Sequence, residues 1–169
     1  DSFTKSYFEN TLLKDIPFIN DYCHKLKLPI CTSKSINLIH KNDFTLNEEI
    51  FKIPSNSVLI LSGKTNIHNS SILGSDDGSM IVQVGGEFWA KNAKFDSLSN
   101  LHISGTNWTG AINIVNSNVT TEDISISNSH GEDAINFVQS IVRSSGGIDF
   151  ENIAEDALDG DNIDFLFDK

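Results

Sequence analysis

The sequence predicts an all-β fold, a right-handed single-stranded parallel β-helix of about five rungs behind an N-terminal helical cap. Three observations carry this expectation: a repeat of fixed length, apolar alternation within each copy, and turn-forming residues between copies. Residues 111–119 read Ala-Ile-Asn-Ile-Val-Asn-Ser-Asn-Val, and residues 134–142 read Ala-Ile-Asn-Phe-Val-Gln-Ser-Ile-Val. From Ala157 the chain reads Ala-Leu-Asp-Gly-Asp, so Ala111, Ala134 and Ala157 follow one another at steps of 23 residues. The pair Glu132-Asp133 recurs as Glu155-Asp156. An earlier copy spans residues 81–95, where Ile81, Val84, Phe88, Ala93 and Phe95 match Ile112, Val115, Val119, Ile124 and Ile126 at a step of 31. The extra residues of that step are expected to bulge near Ser104–Trp108.

Within each copy, pairs such as Ile124/Ile126 and Ile148/Phe150 alternate with polar residues, the period of a strand with one buried face. Strands this short bury little alone, and stacking copies gives each a hydrogen-bonded neighbour and a shared interior. Asn, Ser and Gly gather at 127–131 and 144–147, where the chain must turn. A helical repeat would need a 3.6-residue period, and a leucine-rich repeat its leucine ladder; neither is present.

The expected organisation is a helical cap and lead-in strand over 1–43 and a parallel β-helix over 44–169. In the cap, Phe3, Tyr7 and Phe8 suggest one helical face. Asp15 caps a second helix with Pro17 in its first turn and Phe18, Ile19, Tyr22, Cys23 and Leu26 on one side, and Pro29 stops it. Such a cap covers the open apolar end that a β-helix would otherwise present to other chains. Strands are expected at about 44–53, 58–61, 65–68 and 71–73. Cys23 and Cys31 fit either a local disulfide or two buried thiols.

The net charge is −11, from 23 acids against 12 bases. Arg143 is the only arginine. This balance disfavours nucleic acid and anionic membrane as partners. No apolar run approaches the roughly 20 residues of a membrane span, and no signal peptide is visible in a chain that starts at Asp1.

The segments Leu28-Pro29-Ile30, Phe44-Thr45-Leu46 and Ile53-Pro54-Ser55-Asn56-Ser57-Val58-Leu59-Ile60 resemble the N-terminal part of the pectin-lyase-like β-helix superfamily, as in phage tailspikes and polysaccharide lyases. Gly131-Glu132-Asp133-Ala134-Ile135-Asn136 and Glu155-Asp156-Ala157-Leu158-Asp159-Gly160-Asp161 resemble repeats of secreted bacterial β-helix proteins. The resemblance implies a secreted or cell-surface location and leaves the chemistry open. The superfamily holds lyases, hydrolases, epimerases, adhesins and inert scaffolds.

Candidate sites follow from the repeat. At a 23-residue rung, Glu155 lies over Glu132, Asp156 over Asp133, and Asp159 over Asn136 and Asn113, with Asp161 where Val138 stood one rung below. Carboxylates so spaced repel unless they are exposed, protonated or bridged by a cation, and oxygen-rich flexible groups suit calcium. Glu132, Asp133, Glu155, Asp156, Asp159 and Asp161 are therefore calcium candidates, beside the simpler expectation of a solvated acidic edge. Two close carboxylates also fit a glycosidase, with Asp133 and Asp156 as acid or base, His130 beside them, and Arg143 as the basic group a lyase would need. Gly131-Glu132-Asp133-Ala134-Ile135 resembles the acidic motif of polygalacturonases, but the Gly-His-Gly and Arg-x-Lys partner motifs are missing. His24, His40, His68 and His102 show no ligand spacing. Trp89 and Trp108 are sugar-stacking candidates, Trp89 because it follows inward-pointing Phe88, and core packing is the alternative for both.

The expected function is a non-catalytic β-helix scaffold or carbohydrate-binding module, with a polysaccharide or cell-surface glycan as partner. The alternative is the N-terminal part of a polysaccharide-active enzyme: a lyase, glycoside hydrolase or epimerase. Self-association through the C-terminal rung is a further expectation, because that rung ends on Ile163, Phe165 and Phe167 without a cap.

Overall fold

Stretches of two or three inward residues fold only if each is laid against the next, and the chain does this by winding. The structure is a computed structural model and describes residues 36–75, 78–101 and 108–167. All of these belong to the second of two units into which the chain divides, Ile36–Lys169. The expected cap helices and the Cys23/Cys31 pair lie outside the described residues. Those residues form a parallel β-helix of about five turns with no helix.

Its strands are β1 (Asn37–Asn42), β2 (Thr45–Asn47), β3 (Ile50–Lys52), β4 (Ser57–His68), β5 (Ser71–Leu73), β6 (Ser79–Lys91), β7 (Lys94–Asp96), β8 (Gly110–Val115), β9 (Asn118–Ser129), β10 (Asp133–Val138), β11 (Ile141–Ile153), β12 (Asp156–Asp161) and β13 (Asp164–Phe167). Every pairing is parallel. The first ladder runs β1, β4, β6, β8, β10, β12. The second runs β2, the later halves of β4 and β6, then β9, β11 and β13. The third joins β3, β5, β7 and the ends of β9 and β11.

The register makes the repeat steps turn lengths. Ile39, Leu59, Ile81, Ile112, Ile135 and Leu158 form one column. Phe88, Val119, Val142 and Phe165 form another, and Phe51, Ile72, Phe95, Ile126 and Phe150 a third. The longer step falls between β7 and β8; of the bulge expected near Ser104–Trp108, Trp108 alone is described. Along β4 and β6 the residues alternating with the core, Val58, Ile60, Met80 and Val82, are buried too. These strands therefore read as continuous apolar runs.

Corners use residues that tolerate the left-handed backbone region. Asn69, Asn92, Asn116, Asn128, Asn152 and Asn162 have φ between 47° and 54°. Stacked corners also bond to one another: Asn92 Nδ2 donates to Asn69 Oδ1 at 2.9 Å, and Asn152 Nδ2 to Asn128 Oδ1 at 3.1 Å. Where β4 and β6 bend from the first ladder into the second, Gly63 and Gly86 stack backbone on backbone. A β-carbon on Gly86 would collide with the Gly63 carbonyl oxygen.

Ile135 is buried in its column between Ile112 and Leu158. Ile135→Asp would place a charge in that stack and is expected to unfold the domain. Ile135→Val should fold normally and cost about 0.5–1.5 kcal/mol. Urea denaturation followed by circular dichroism measures both; a stable Ile135→Asp variant would refute the column.

Candidate functional site

Two groups of candidate residues come together, on different ladders. The first is the acidic strip at β10 and β12. Asp133 pairs in register with Asp156, Asn136 with Asp159 and Val138 with Asp161. Glu132, Glu155, Asp156, Asp159 and Asp161 are exposed, as is His130. Asp133 is only 4% exposed.

The strip is organised around a residue that sequence reasoning missed. Thr109, just ahead of β8, accepts a hydrogen bond from Asn136 Nδ2 at 2.8 Å and bonds the Asp133 carboxylate. Its carbonyl also accepts the Asp133 backbone N–H at 3.2 Å. One turn back, Asn113 closes on its own strand instead, with Oδ1 accepting from the Gly110 N–H at 3.1 Å and Nδ2 donating to the Gly110 carbonyl. Burial pushes the Asp133 pKa above its ordinary value; the Thr109 bond opposes this, and the charges of Asp159, Asp156 and Glu155 add to the rise. The strip therefore sets one buried acid, its pKa raised, beside exposed ones. Among the described residues, no group of three His, Cys, Asp or Glu side chains could hold a metal ion.

The second group lies on the outward side of the second ladder. Here Phe88 turns into the core and Trp89 turns out, half-buried. The Trp89 indole stacks on His68, with ring centroids 5.9 Å apart and planes 6° from parallel. His68 is held in turn by Asn47: the amide oxygen can only accept, so Nδ1 donates to it at 3.0 Å. Asn66, Trp89, Thr120, Arg143 and Leu166 make one column in register. Beside it Lys64 pairs with Glu87 at 3.5 Å and Lys91 with Glu122 at 2.7 Å.

Arg143 and the acidic strip thus occupy different ladders and do not form one acid–base set. Trp108 is half-buried in the connection ahead of β8. The alignment of Trp89 with Arg143 was available in the sequence, because the steps that join Ile81, Ile112 and Ile135 also join Trp89, Thr120 and Arg143. His68 carried no such signal, since its stack depends on side-chain direction.

Comparison with protein-family models, with curated proteins and with solved structures finds no match. The parallel β-helix is shown by the structure itself, and no match supports the pectin-lyase-like superfamily in particular.

Asp133 has a pH signature. Its folded pKa is raised, so the folded state binds the proton more tightly than the unfolded chain, whose Asp titrates near about 3.9. Its contribution to stability is present at low pH and is lost as pH rises through the raised value. Asp133→Asn should be at least as stable as the native protein at pH 7 and should flatten this part of the pH–stability curve. Thermal melts of both proteins from acid to neutral pH test this; a large loss at pH 7 would show that the ionised carboxylate is needed.

Proposed function

We propose that this chain is a non-catalytic β-helix module that binds carbohydrate, as part of a secreted or cell-surface protein of pectin-lyase-like descent. The observation that carries the reading is the Trp89–His68 stack on the outward face of the second ladder. A half-buried indole fixed against a second ring offers an apolar surface of defined orientation, which is what the C–H face of a sugar packs against. Fixing the ring beforehand also reduces the ordering cost of binding. Around it stand Asn66, Thr120 and Arg143, a polar fringe of donors and acceptors suited to sugar hydroxyls. An outward face of this kind suits an extended polymer lying across several turns.

A second reading, a polysaccharide-active enzyme, draws on Asp133 and Asp156. They are neighbours on adjacent turns, one with a raised pKa and one exposed, and such a difference between two carboxyls is what general acid catalysis uses. Against it stand the burial of Asp133 and the separation of Arg143 from both acids.

A glycan array run with and without calcium tests the first reading, with Trp89→Ala as its control. The native protein should retain a subset of glycans, and Trp89→Ala should lose about tenfold or more in affinity, about 1.4 kcal/mol, with an unchanged circular dichroism spectrum. Calcium dependence would bring in the acidic strip. Retention that is indifferent to Trp89→Ala would overturn the assignment of the site. Release of new sugar ends from any retained glycan would favour the enzyme.

A further inference from the structure

We infer that the outward face of the second ladder holds a slot over Thr120, between Trp89 and Arg143, that takes a sugar residue bearing an anionic group. This rests on the carbohydrate reading and narrows it to a class of ligand.

The slot follows from spacing. Neighbouring turns stand about 4.8 Å apart, whereas a ring lying between two groups needs about 3.5–4 Å to each, or about 7–8 Å in all. Adjacent turns are too close to sandwich a ring. Turns two apart, at about 9.6 Å, have room, provided that the residue between them is small. Trp89 and Arg143 are two apart, and the residue between them is Thr120, which is exposed. His68 stacks on Trp89 from the turn before, so the opposite indole face is directed towards the turn of Thr120. The Thr120 hydroxyl forms the floor and can both donate and accept.

The charge on the ligand follows from what is already neutralised. Lys64 and Lys91 are engaged by Glu87 and Glu122. Arg143, exposed in the same face, makes no ion pair with any described residue. Its ladder neighbours are Thr120 and Leu166, and the acid diagonal to it on β13, Asp164, lies beside Ile141. A guanidinium presents a planar fork that matches a carboxylate or a sulfate through two parallel hydrogen bonds, and it can also lie flat on a ring. The surrounding chain carries a net charge of −11, so a polyanion gains nothing from the overall field, and its retention would have to come from a local cation.

The test uses the full chain and immobilised dextran, carboxymethyl dextran, dextran sulfate, hyaluronan and heparin, with Arg143→Gln and Thr120→Phe as variants. Thr120→Phe fills the slot while leaving Trp89 and Arg143 in place, and both positions are exposed, so the fold should survive. The expected result is preference for carboxylated or sulfated chains over dextran. Arg143→Gln should lower that affinity about tenfold or more, and Thr120→Phe should do the same. Rising salt should weaken native binding. Carboxymethyl dextran against dextran sulfate decides which anion is taken. Equal affinity for dextran and its charged forms, or indifference to both variants, would overturn the slot while a Trp89-dependent neutral glycan kept the carbohydrate reading. Retention of no glycan at all would overturn both.

Discussion

Each turn of this chain is fixed at the repeat of its backbone hydrogen bonds, about 4.8 Å from the next, and that distance decides what each position can hold. In a parallel, in-register ladder a residue meets its counterpart one turn away and little else. Inside, this favours columns of matching apolar volume, as in Leu59, Ile81, Ile112 and Ile135. Among the polar residues it also admits, one pair is hydrogen-bonded from turn to turn. Thr65 stands in the column of Phe88, and its hydroxyl donates to Gln83 Oε1 at 2.8 Å within the core, while Gln83 Nε2 ties down the Gly85 carbonyl at 2.6 Å. The buried hydrogen bond thus holds the bend between the first and second ladders, where the glycines leave the backbone least restrained.

Outside, the same spacing sorts charge. Opposite charges on adjacent turns attract, and Lys64–Glu87 and Lys91–Glu122 are such pairs. Like charges on adjacent turns must be relieved. Asp133 and Asp156 differ in burial: Asp133 is buried beside Thr109, and this burial raises its pKa, while Asp156 stays exposed to water. At Asp96 the outcome is the reverse. Burial would raise its pKa, but hydrogen bonds from Asn128, Ser127 and Ser97 outweigh it and lower the value. Asn128 Nδ2 and Ser127 Oγ reach Asp96 Oδ1 at 2.7 and 2.8 Å, so this carboxylate anchors the asparagine corner that continues to Asn152.

Much of the fold was legible because register is arithmetic. The 23-residue step between Ala111, Ala134 and Ala157 states which strands pair, and the alternation of Ile124 with Ile126 states which side is inside. The bends were legible only in part: the Ser and Gly cluster at 144–147 marked the one in β11. β4, β6, β9 and β11 each run through a corner without a break, which depends on paired glycines or a left-handed Asp123, and no strand period announces that. The site was legible to the same degree. Trp89 could be turned outward by its position after Phe88. Its stack on His68 could not be read, because the two residues sit at different positions of their turns and meet only through side-chain direction. Thr109 was hidden for another reason: it precedes a strand, outside the repeat, and acts through Asn136 and Asp133 from the next turn.

A ladder that repeats at 4.8 Å has a consequence for recognition. A surface of identical turns can offer a ligand only stripes, since each feature recurs at a distance shorter than a ring with its two van der Waals contacts. A discrete site therefore requires that the repeat be broken on the outward face while it is kept on the inward one. The second ladder does this. From β6 onward its core column holds Phe88, Val119, Val142 and Phe165, four apolar residues, while the neighbouring outward column runs Trp89, Thr120, Arg143 and Leu166, four residues of four different chemistries. Uniformity inside keeps the turns stacked. Variation outside, at no cost to that stacking, is where a particular partner can be distinguished.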